Sequence, residues 1–126
     1  MTYQLEKRNP IAVFDSGVGG ISVLRELVKI MPQEDYIYFG DSKNAPYGMK
    51  EQSLVRELTI DCAKQLFDQG AKGLVVACNT ATSAAVRVLR ETYPYIPIVG
   101  IEPAVKPAVF CMEHPRVLVM ATPMTI

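Results

Sequence analysis

The stretch that decides the fold is Gly73-Leu74-Val75-Val76-Ala77-Cys78-Asn79-Thr80-Ala81. Its apolar half predicts a short buried strand, and a thiol, an amide and a hydroxyl follow where a helix is expected to begin. A thiol at that corner lies beside unpaired backbone N–H groups and the positive end of the helix dipole, and both favour the thiolate over the thiol. We therefore interpret Cys78 as part of a functional site.

Outward from this stretch, short apolar runs alternate with helical patterns along the chain. The predicted strands are residues 11–14, 36–39, 74–77, 96–101 and 116–121, and the predicted helices are residues 21–31, 51–69, 82–93 and 104–111. Strands of this length separated by helices predict right-handed βαβ crossovers and a parallel sheet. Because the strands are apolar on both faces, we expect an α/β fold, an open parallel sheet with helices on both faces.

The composition is that of an ordinary globular domain of 126 residues, 49% hydrophobic and 21% charged. Thirteen basic and thirteen acidic residues cancel, which argues against nucleic acid or an anionic membrane as a partner. The N-terminus lacks an apolar signal core, and no apolar run approaches the length that spans a membrane. Three cysteines without a CxxC pair indicate neither a disulfide framework nor a metal site, so a reducing, cytoplasmic compartment is expected.

Polar or reactive residues follow every predicted strand at its carboxyl end. They are Asp15 and Ser16 after the first strand, Asp41 after the second, Cys78, Asn79 and Thr80 after the third, Glu102 after the fourth and Thr122 after the fifth. Any one of them alone is most simply explained as a helix cap. Because the carboxyl ends of parallel strands meet at one edge, five such corners with a thiol among them predict a ligand site there.

The glycine-rich turn Asp15-Ser16-Gly17-Val18-Gly19-Gly20 is not a nucleotide-binding fingerprint. Its glycines have the wrong spacing for G-x-G-x-x-G, and no G-K-[ST] follows. The Asp15 carboxylate would repel a phosphate but suits an ammonium group or a proton relay, whereas the amides of the turn suit a small carboxylate. The combination favours a zwitterion such as an amino acid.

Other residues with reactive or aromatic side chains also have a structural explanation. Cys62 lies on the apolar stripe of the second predicted helix and is interpreted as core. Cys111 is close to His114 in sequence, but a histidine before a proline in a loop is more simply a surface residue than a catalytic base. Tyr47 is equally consistent with a packed turn aromatic and with a pocket wall.

Four motifs of this chain closely resemble those of the glutamate racemases of bacterial cell-wall synthesis. They are Asp15-Ser16-Gly17-Val18-Gly19-Gly20, Gly40-Asp41 with Pro46-Tyr47-Gly48, Ala77-Cys78-Asn79-Thr80-Ala81, and Gly100-Ile101-Glu102-Pro103-Ala104. The resemblance follows the family's order of motifs and covers residues 11–125. Each motif is short, but together they are highly specific.

The resemblance implies a cofactor-independent isomerase that interconverts L- and D-glutamate for peptidoglycan synthesis and binds no metal. In that family two cysteines face opposite sides of the substrate Cα, one thiolate removing the proton and the other thiol returning one. By motif match Cys78 is the first thiol, and Asp15 and Asp41 are similar to acidic residues that orient the thiol or contact the substrate's amino group. The other residues that the resemblance assigns to glutamate binding are Ser16, Asn79, Thr80, the wall residues Pro46, Tyr47 and Gly48, and Thr122 and Thr125 of a carboxylate-binding turn in which Ala121 replaces the usual glycine.

The resemblance also implies that the chain is the N-terminal portion of a two-lobed racemase. We expect a tail at residues 1–10, a first α/β lobe at residues 11–98 and the start of a second lobe at residues 99–126. In the family the second lobe supplies the opposite thiol from a Cys-Thr-His motif, and a far C-terminal segment completes the first lobe. We therefore expect this chain alone to lack efficient activity and, through uncovered apolar surface, to form a homo-oligomer, a dimer.

Three alternatives stay open from the sequence. A non-catalytic module could use the same sheet edge to bind an amino acid. A cysteine amidase acting through a thioester would need a histidine base at the thiol, which His114 is poorly placed to supply. An aspartate racemase or a related decarboxylase would differ in the pocket wall, although the Pro46-Tyr47-Gly48 turn favours glutamate.

Overall fold

A four-stranded parallel sheet forms the centre of the computed structural model, which describes residues 7–126. The strands are β1 (Ile11–Asp15), β2 (Tyr36–Gly40), β3 (Gly73–Val76) and β4 (Ile98–Gly100), in the order β2-β1-β3-β4 across the sheet. The helices are α1 (Ile21–Ile30), α2 (Gln52–Asp68) and α3 (Asn79–Thr92), which connect the strands in turn, and α4 (Val105–Phe110) after β4. The predicted α/β fold is confirmed, and residues 1–6 of the predicted tail lie outside the described residues.

The main core lies between the sheet and the helices α2 and α3. Successive side chains of a strand point to opposite faces, so Ala12 and Phe14 of β1 join Leu74 and Val76 of β3 on this side. Burying each large apolar side chain contributes about 1.5–3 kcal/mol, and α2 and α3 also pack against each other here. The sheet and the two helices therefore form two packed layers that stabilise each other.

The opposite face of the sheet is covered by α1. Val13 of β1 is completely buried on this side, but Val75 of β3 is only half-buried and Val99 of β4 is 54% exposed. Val75 and Val99 line an apolar groove of about 500 Å³ beside α1. Helices lie on both faces, as predicted, but they cover the two faces unevenly.

The predicted fifth strand at residues 116–121 is wrong, because the described part of the chain has no strand after β4. Leu118 and Met120 are 86% and 87% exposed, and the segment joins no edge of the sheet. The N–H and C=O groups of a strand need a partner strand, which an apolar composition alone does not provide.

The helix α3 begins at Asn79 rather than at the predicted residue 82. The Cys78 side chain caps the helix by accepting a hydrogen bond from the backbone N–H of Ala81 at 3.4 Å. Such a bond satisfies one of the backbone donors that a helix N-terminus leaves unpaired. The thiol is therefore part of the start of the helix.

The predicted boundary between residues 98 and 99 falls inside β4, which pairs with β3 over its whole length. The division of the chain into two lobes stays a prediction. Within residues 7–126, no helix combines the length and the apolar character needed to cross a lipid bilayer.

Candidate functional site

The carboxyl ends of β1 and β3 lie side by side in the middle of the sheet. The chain leaves β1 through α1 on one face and leaves β3 through α3 on the other, so the two connections diverge and open a crevice. Such a switch point is where open α/β sheets bind ligands. Asp15 ends β1 and Cys78 follows β3, so these two predicted catalytic residues flank the crevice.

Cys78 is held at the N-terminus of α3 with its sulfur facing the crevice. Besides accepting the bond from Ala81, its Sγ lies 3.7 Å from the Oγ of Ser16. Cys78 is only 8% exposed, yet it lines a cavity of about 450 Å³ together with Asp15 and Asn79. A backbone N–H and the positive end of a helix both stabilise negative charge on sulfur, which suits the thiol to proton abstraction.

The Asp15 carboxylate is fixed by the turn that follows β1. Its Oδ2 accepts a hydrogen bond from the N–H of Gly20 at 2.8 Å, and the residue is 7% exposed. A Cβ on Gly20 would lie 2.8 Å from the Cβ of Asp15, so only glycine lets the backbone approach this closely. Asp15 lines both the cavity beside Cys78 and a second cavity of about 510 Å³ beside the Pro46-Tyr47-Gly48 turn.

A chain of three threonine hydroxyls runs along the two cavities. The Oγ1 of Thr80 lies 2.9 Å from the Oγ1 of Thr122, which lies 3.2 Å from the Oγ1 of Thr125. Thr80 and Thr122 line both cavities, and Thr125 lines the one that contains Cys78. Each hydroxyl can donate one hydrogen bond, and two bonds link the three hydroxyls, so one donor remains for a ligand carboxylate.

The Pro46-Tyr47-Gly48 segment, with Ser16, forms a wall of the second cavity. Gly48 packs directly on Thr122, because a Cβ at Gly48 would lie 2.4 Å from the Cγ2 of Thr122. The wall and the chain of threonines are therefore in contact. A change in the position of the wall would move the Thr122 hydroxyl.

Asp41 lies behind this wall and lines neither cavity. Its carboxylate accepts a hydrogen bond of 2.5 Å from the Tyr47 hydroxyl, and the side-chain amide of Asn44 lies 3.0 Å from both of its oxygens. Burial, followed by the hydrogen bond to Asp41, raises the pKa of Tyr47 far above its ordinary value. Tyr47 is thus a packed aromatic that also belongs to the wall.

The other cysteines and the histidine lie away from the crevice. Cys62 is in the core, as predicted, where burial and then the Asp41 carboxylate raise its pKa to about 11. Cys111 and His114 are exposed, and neither lines a cavity around Cys78. The described residues therefore do not assemble the histidine–thiol pair of an amidase, and they contain no cluster of three His, Cys, Asp or Glu side chains suited to a metal.

Several residues that line the cavity beside Cys78 were not among the predicted site residues, including Ser22, Val23 and Ile101. The position of Ser22 in the first turn of α1, directly after the glycine turn, was a usable signal, whereas an apolar residue such as Ile101 gives none. Glu102 lies instead in a separate cavity of about 750 Å³ along α3.

The family model described as Asp/Glu/Hydantoin racemase matches residues 11–125 of this chain. The chain belongs to this racemase family. The glutamate racemase of Clostridium acetobutylicum is 59% identical over 120 residues, which are 95% of this chain and 47% of the relative. This member of the family therefore spans about half the length of the curated relatives that it matches.

Two solved glutamate racemases have a similar fold to this racemase-family chain. The Thermus thermophilus enzyme, in complex with β-chloro-D-alanine, gives a TM-score of 0.74 at 47% identity, over 80% of this chain and 40% of that one. The Francisella tularensis enzyme, in complex with D-glutamate, gives a TM-score of 0.70 at 40% identity, over 74% of this chain and 35% of that one. The predicted family and fold are confirmed.

Proposed function

We propose that this chain forms one half of a glutamate racemase active site, in which Cys78 exchanges the Cα proton of glutamate on one face. The observation that carries the proposal is the position of the Cys78 sulfur. It lies at the N-terminus of α3, 3.7 Å from the Ser16 hydroxyl, in the cavity that Asp15 also lines. The D-glutamate held by the related Francisella tularensis enzyme supports glutamate as the ligand.

The proposed chemistry balances with two thiols and no cofactor. The Cys78 thiolate takes the Cα proton and becomes a thiol, and the electron pair of the broken C–H bond passes to the α-carboxylate. A thiol on the opposite face then protonates Cα and becomes a thiolate, so the configuration inverts. Within residues 7–126 Cys78 alone among the three cysteines lines the crevice, so the second thiol must come from elsewhere.

The remaining groups of the crevice would hold the zwitterion. The Asp15 carboxylate suits the ammonium group, and the hydroxyls of Thr80, Thr122 and Thr125 suit the carboxylate on which negative charge grows. Donors aimed at developing charge contribute most in a site without bulk water. The crevice of this chain is open, which is why efficient turnover requires a second half to close it.

In the cell we propose that the reaction supplies D-glutamate for peptidoglycan in the cytoplasm. The three cysteines are free thiols, which fits a reducing compartment. The balanced net charge fits a small zwitterionic ligand rather than nucleic acid.

Joining this chain in frame to the C-terminal part of the Clostridium acetobutylicum relative tests the proposal. The joined protein is expected to interconvert L- and D-glutamate, followed by circular dichroism of the substrate. The variant Cys78→Ala is expected to lose about a hundredfold to ten-thousandfold in turnover, the contribution of a positioned proton-transfer group.

The matched control is Cys111→Ala, which removes an exposed thiol outside the crevice and is expected to keep full turnover. A joined protein that unfolds cooperatively but does not convert glutamate would contradict the proposal. Undiminished turnover by Cys78→Ala would contradict it as well.

A further inference from the structure

The cluster of Asp41, Asn44 and Tyr47, in which Asp41 and Tyr47 are buried, lies outside the proposed proton transfer. Both Asp41 oxygens already accept hydrogen bonds from within the cluster, two from the Asn44 amide and one from the Tyr47 hydroxyl. Asp41 is 7% exposed and lines neither cavity of the crevice. A carboxylate so enclosed is poorly placed to contact a substrate ammonium group.

The cluster fixes the wall from behind. The Tyr47 ring is 1% exposed and packs at 6.1 Å, centroid to centroid, on Phe14 of the central strand, which orients the ring but not the hydroxyl end. The bond to Asp41 holds that end. Hydrogen bonds to a charged acceptor are about twice as strong as neutral ones, so a carboxylate fixes the tyrosine more firmly than a neutral residue could.

Gly48 connects the position of the wall to the threonine hydroxyls on the ligand side. Gly48 packs against the Cγ2 of Thr122 so closely that no Cβ would fit, and the Thr122 hydroxyl bonds to Thr80 and Thr125. Displacing the turn by a few tenths of an ångström would therefore shift the central hydroxyl of the threonine chain.

We infer that Asp41 is a positioning residue that acts through Tyr47 to hold the Pro46-Tyr47-Gly48 wall, and with it Thr122, in place for the ligand. The inference rests on the proposed function for the identity of the ligand. It replaces the roles that the family resemblance suggested for Asp41, which were to orient the thiol or to contact the amino group. The raised pKa of Tyr47 is consistent with this arrangement, because burial and then the hydrogen bond to Asp41 both disfavour loss of the hydroxyl proton.

Amide hydrogen exchange of the ligand-free chain tests the structural half of the inference. The Lys50 N–H donates to the Tyr47 carbonyl at 3.1 Å and reports whether the turn is closed. In Tyr47→Phe this amide is expected to exchange about tenfold faster, roughly the effect of one lost hydrogen bond. Asp41→Asn keeps an oxygen that accepts from the Tyr47 hydroxyl but removes its charge, so a smaller acceleration is expected. The double variant is expected to exchange no faster than Tyr47→Phe, because that change already removes the bond that Asp41→Asn weakens.

Tyr36→Phe is the matched control. It also deletes a hydroxyl, one that donates to the carbonyls of Leu27 and Met31 at 3.1 and 2.9 Å. It is expected to leave the exchange of the Lys50 amide unchanged. The Ala71 amide, which lies just after α2 and donates to the Leu66 carbonyl, is expected to exchange at the same rate in every variant. If Asp41→Asn does not fold, the exchange of the Lys50 amide in Tyr47→Phe, which loses only one oxygen atom, tests the inference by itself.

Affinities for L-glutamate and for glutarate, which lacks the amino group, test the functional half. A positioning role predicts that each variant weakens the binding of the two ligands by the same factor, about tenfold for Tyr47→Phe and less for Asp41→Asn. Selective loss of glutamate binding in Asp41→Asn, with glutarate unaffected, would overturn the inference in favour of a direct ammonium contact. Unchanged Lys50 exchange in Tyr47→Phe would overturn it too.

The two proposals fail in different ways. A wild-type chain, alone and joined to the second half, that binds neither ligand would overturn the proposed function. The exchange of the Lys50 amide would then still decide whether Asp41 holds the wall through Tyr47.

Discussion

At the scale of single residues, two cysteines with the same exposure have opposite environments. Cys62 and Cys78 are each 8% exposed. The first lies in the core near the Asp41 carboxylate, and the second lies at a helix N-terminus and borders a cavity. Exposure alone therefore predicts equal reactivity of the two thiols, whereas the charge and polarity around each sulfur predict a difference.

We expect iodoacetamide to modify Cys78 on the order of tenfold or more faster than Cys62 near neutral pH, because the thiolate is the reacting species. The raised pKa of Cys62, about 11, leaves very little thiolate there. Peptide mass spectrometry of the native chain measures both rates. Equal labelling of the two residues would show that exposure, not electrostatics, controls their reactivity.

The stability of the chain is expected to fall at alkaline pH. The Cys62 thiol has an ordinary pKa of 9.0 and a folded-state pKa of about 11, because burial and then Asp41 disfavour its charge. A raised folded-state pKa means that its contribution to stability is complete below about pH 9 and is lost as the pH rises toward 11. Urea unfolding of wild type and Cys62→Ala across this range should show a shallower pH dependence in the variant; identical slopes would contradict the prediction.

Residue types and spacing could predict most of the site but not the direction of each side chain. Cys78, Asp15 and Thr80 line the crevice because the carboxyl ends of parallel strands share one edge. Thr122 also lines it, although no strand of the described residues ends directly before Thr122. The same rule placed Asp41 at that edge, but its carboxylate turns back to Tyr47. That direction depends on how the loop after β2 folds back and brings Asn44 and Tyr47 to the carboxylate, which the pattern at the strand end does not contain.

At the scale of elements, the turns after the strands depend on close backbone contact. A Cβ on Gly40, at the end of β2, would lie 2.1 Å from the carbonyl oxygen of Gly17 in the turn after β1. Two backbone segments are in contact there, so neither can move away without a cost in folding free energy. Glycine is required at position 40 because the Gly17 backbone lies so close, not because of the φ and ψ angles of Gly40 itself.

We expect Gly40→Ala to lower the free energy of unfolding by about 1–3 kcal/mol, the usual cost of overpacking. Gly17→Ala is the control, because nothing lies within 4 Å of a Cβ there, and it is expected to stay within about 0.5 kcal/mol of wild type. Urea denaturation measures both. Similar stabilities of the two variants would contradict the close contact.

The elements themselves were predictable to different degrees. β1 and β3 were recognisable because both of their faces are apolar and glycine or polar residues bound them. The run at residues 116–121 has the same composition but is not a strand, because pairing requires an adjacent strand and is a non-local condition. The early start of α3 was missed because cysteine is an unusual helix cap.

At the scale of the whole molecule, apolar surface remains on the α1 side of the sheet. The groove beside α1 is lined by β3 and β4, and Val99 within it is 54% exposed. Contiguous apolar surface of this kind favours association. The apolar surface is thus exposed where, among the described residues, α1 leaves Val99 of β4 uncovered on this face.

We expect the purified chain to self-associate, as a dimer, at about 10–50 µM, where exposed apolar patches associate. Val99→Lys places a charge in the groove and should shift the chain toward monomer in sedimentation velocity. Ile30→Lys is the control, since Ile30 is 74% exposed at the end of α1 and outside the groove. A monomeric wild-type profile, or an equal effect of both variants, would contradict the prediction.

The most direct measurement is solvent deuterium uptake at Cα, followed by proton NMR of L- and D-glutamate incubated in D₂O with the joined protein. If Cys78 serves one face of Cα and the second thiol serves the other, the joined wild-type protein should exchange both enantiomers. Cys78→Ala should lose exchange for the one enantiomer whose Cα–H points at this sulfur. Retention of exchange for both enantiomers by Cys78→Ala would contradict the account that this thiol removes the proton.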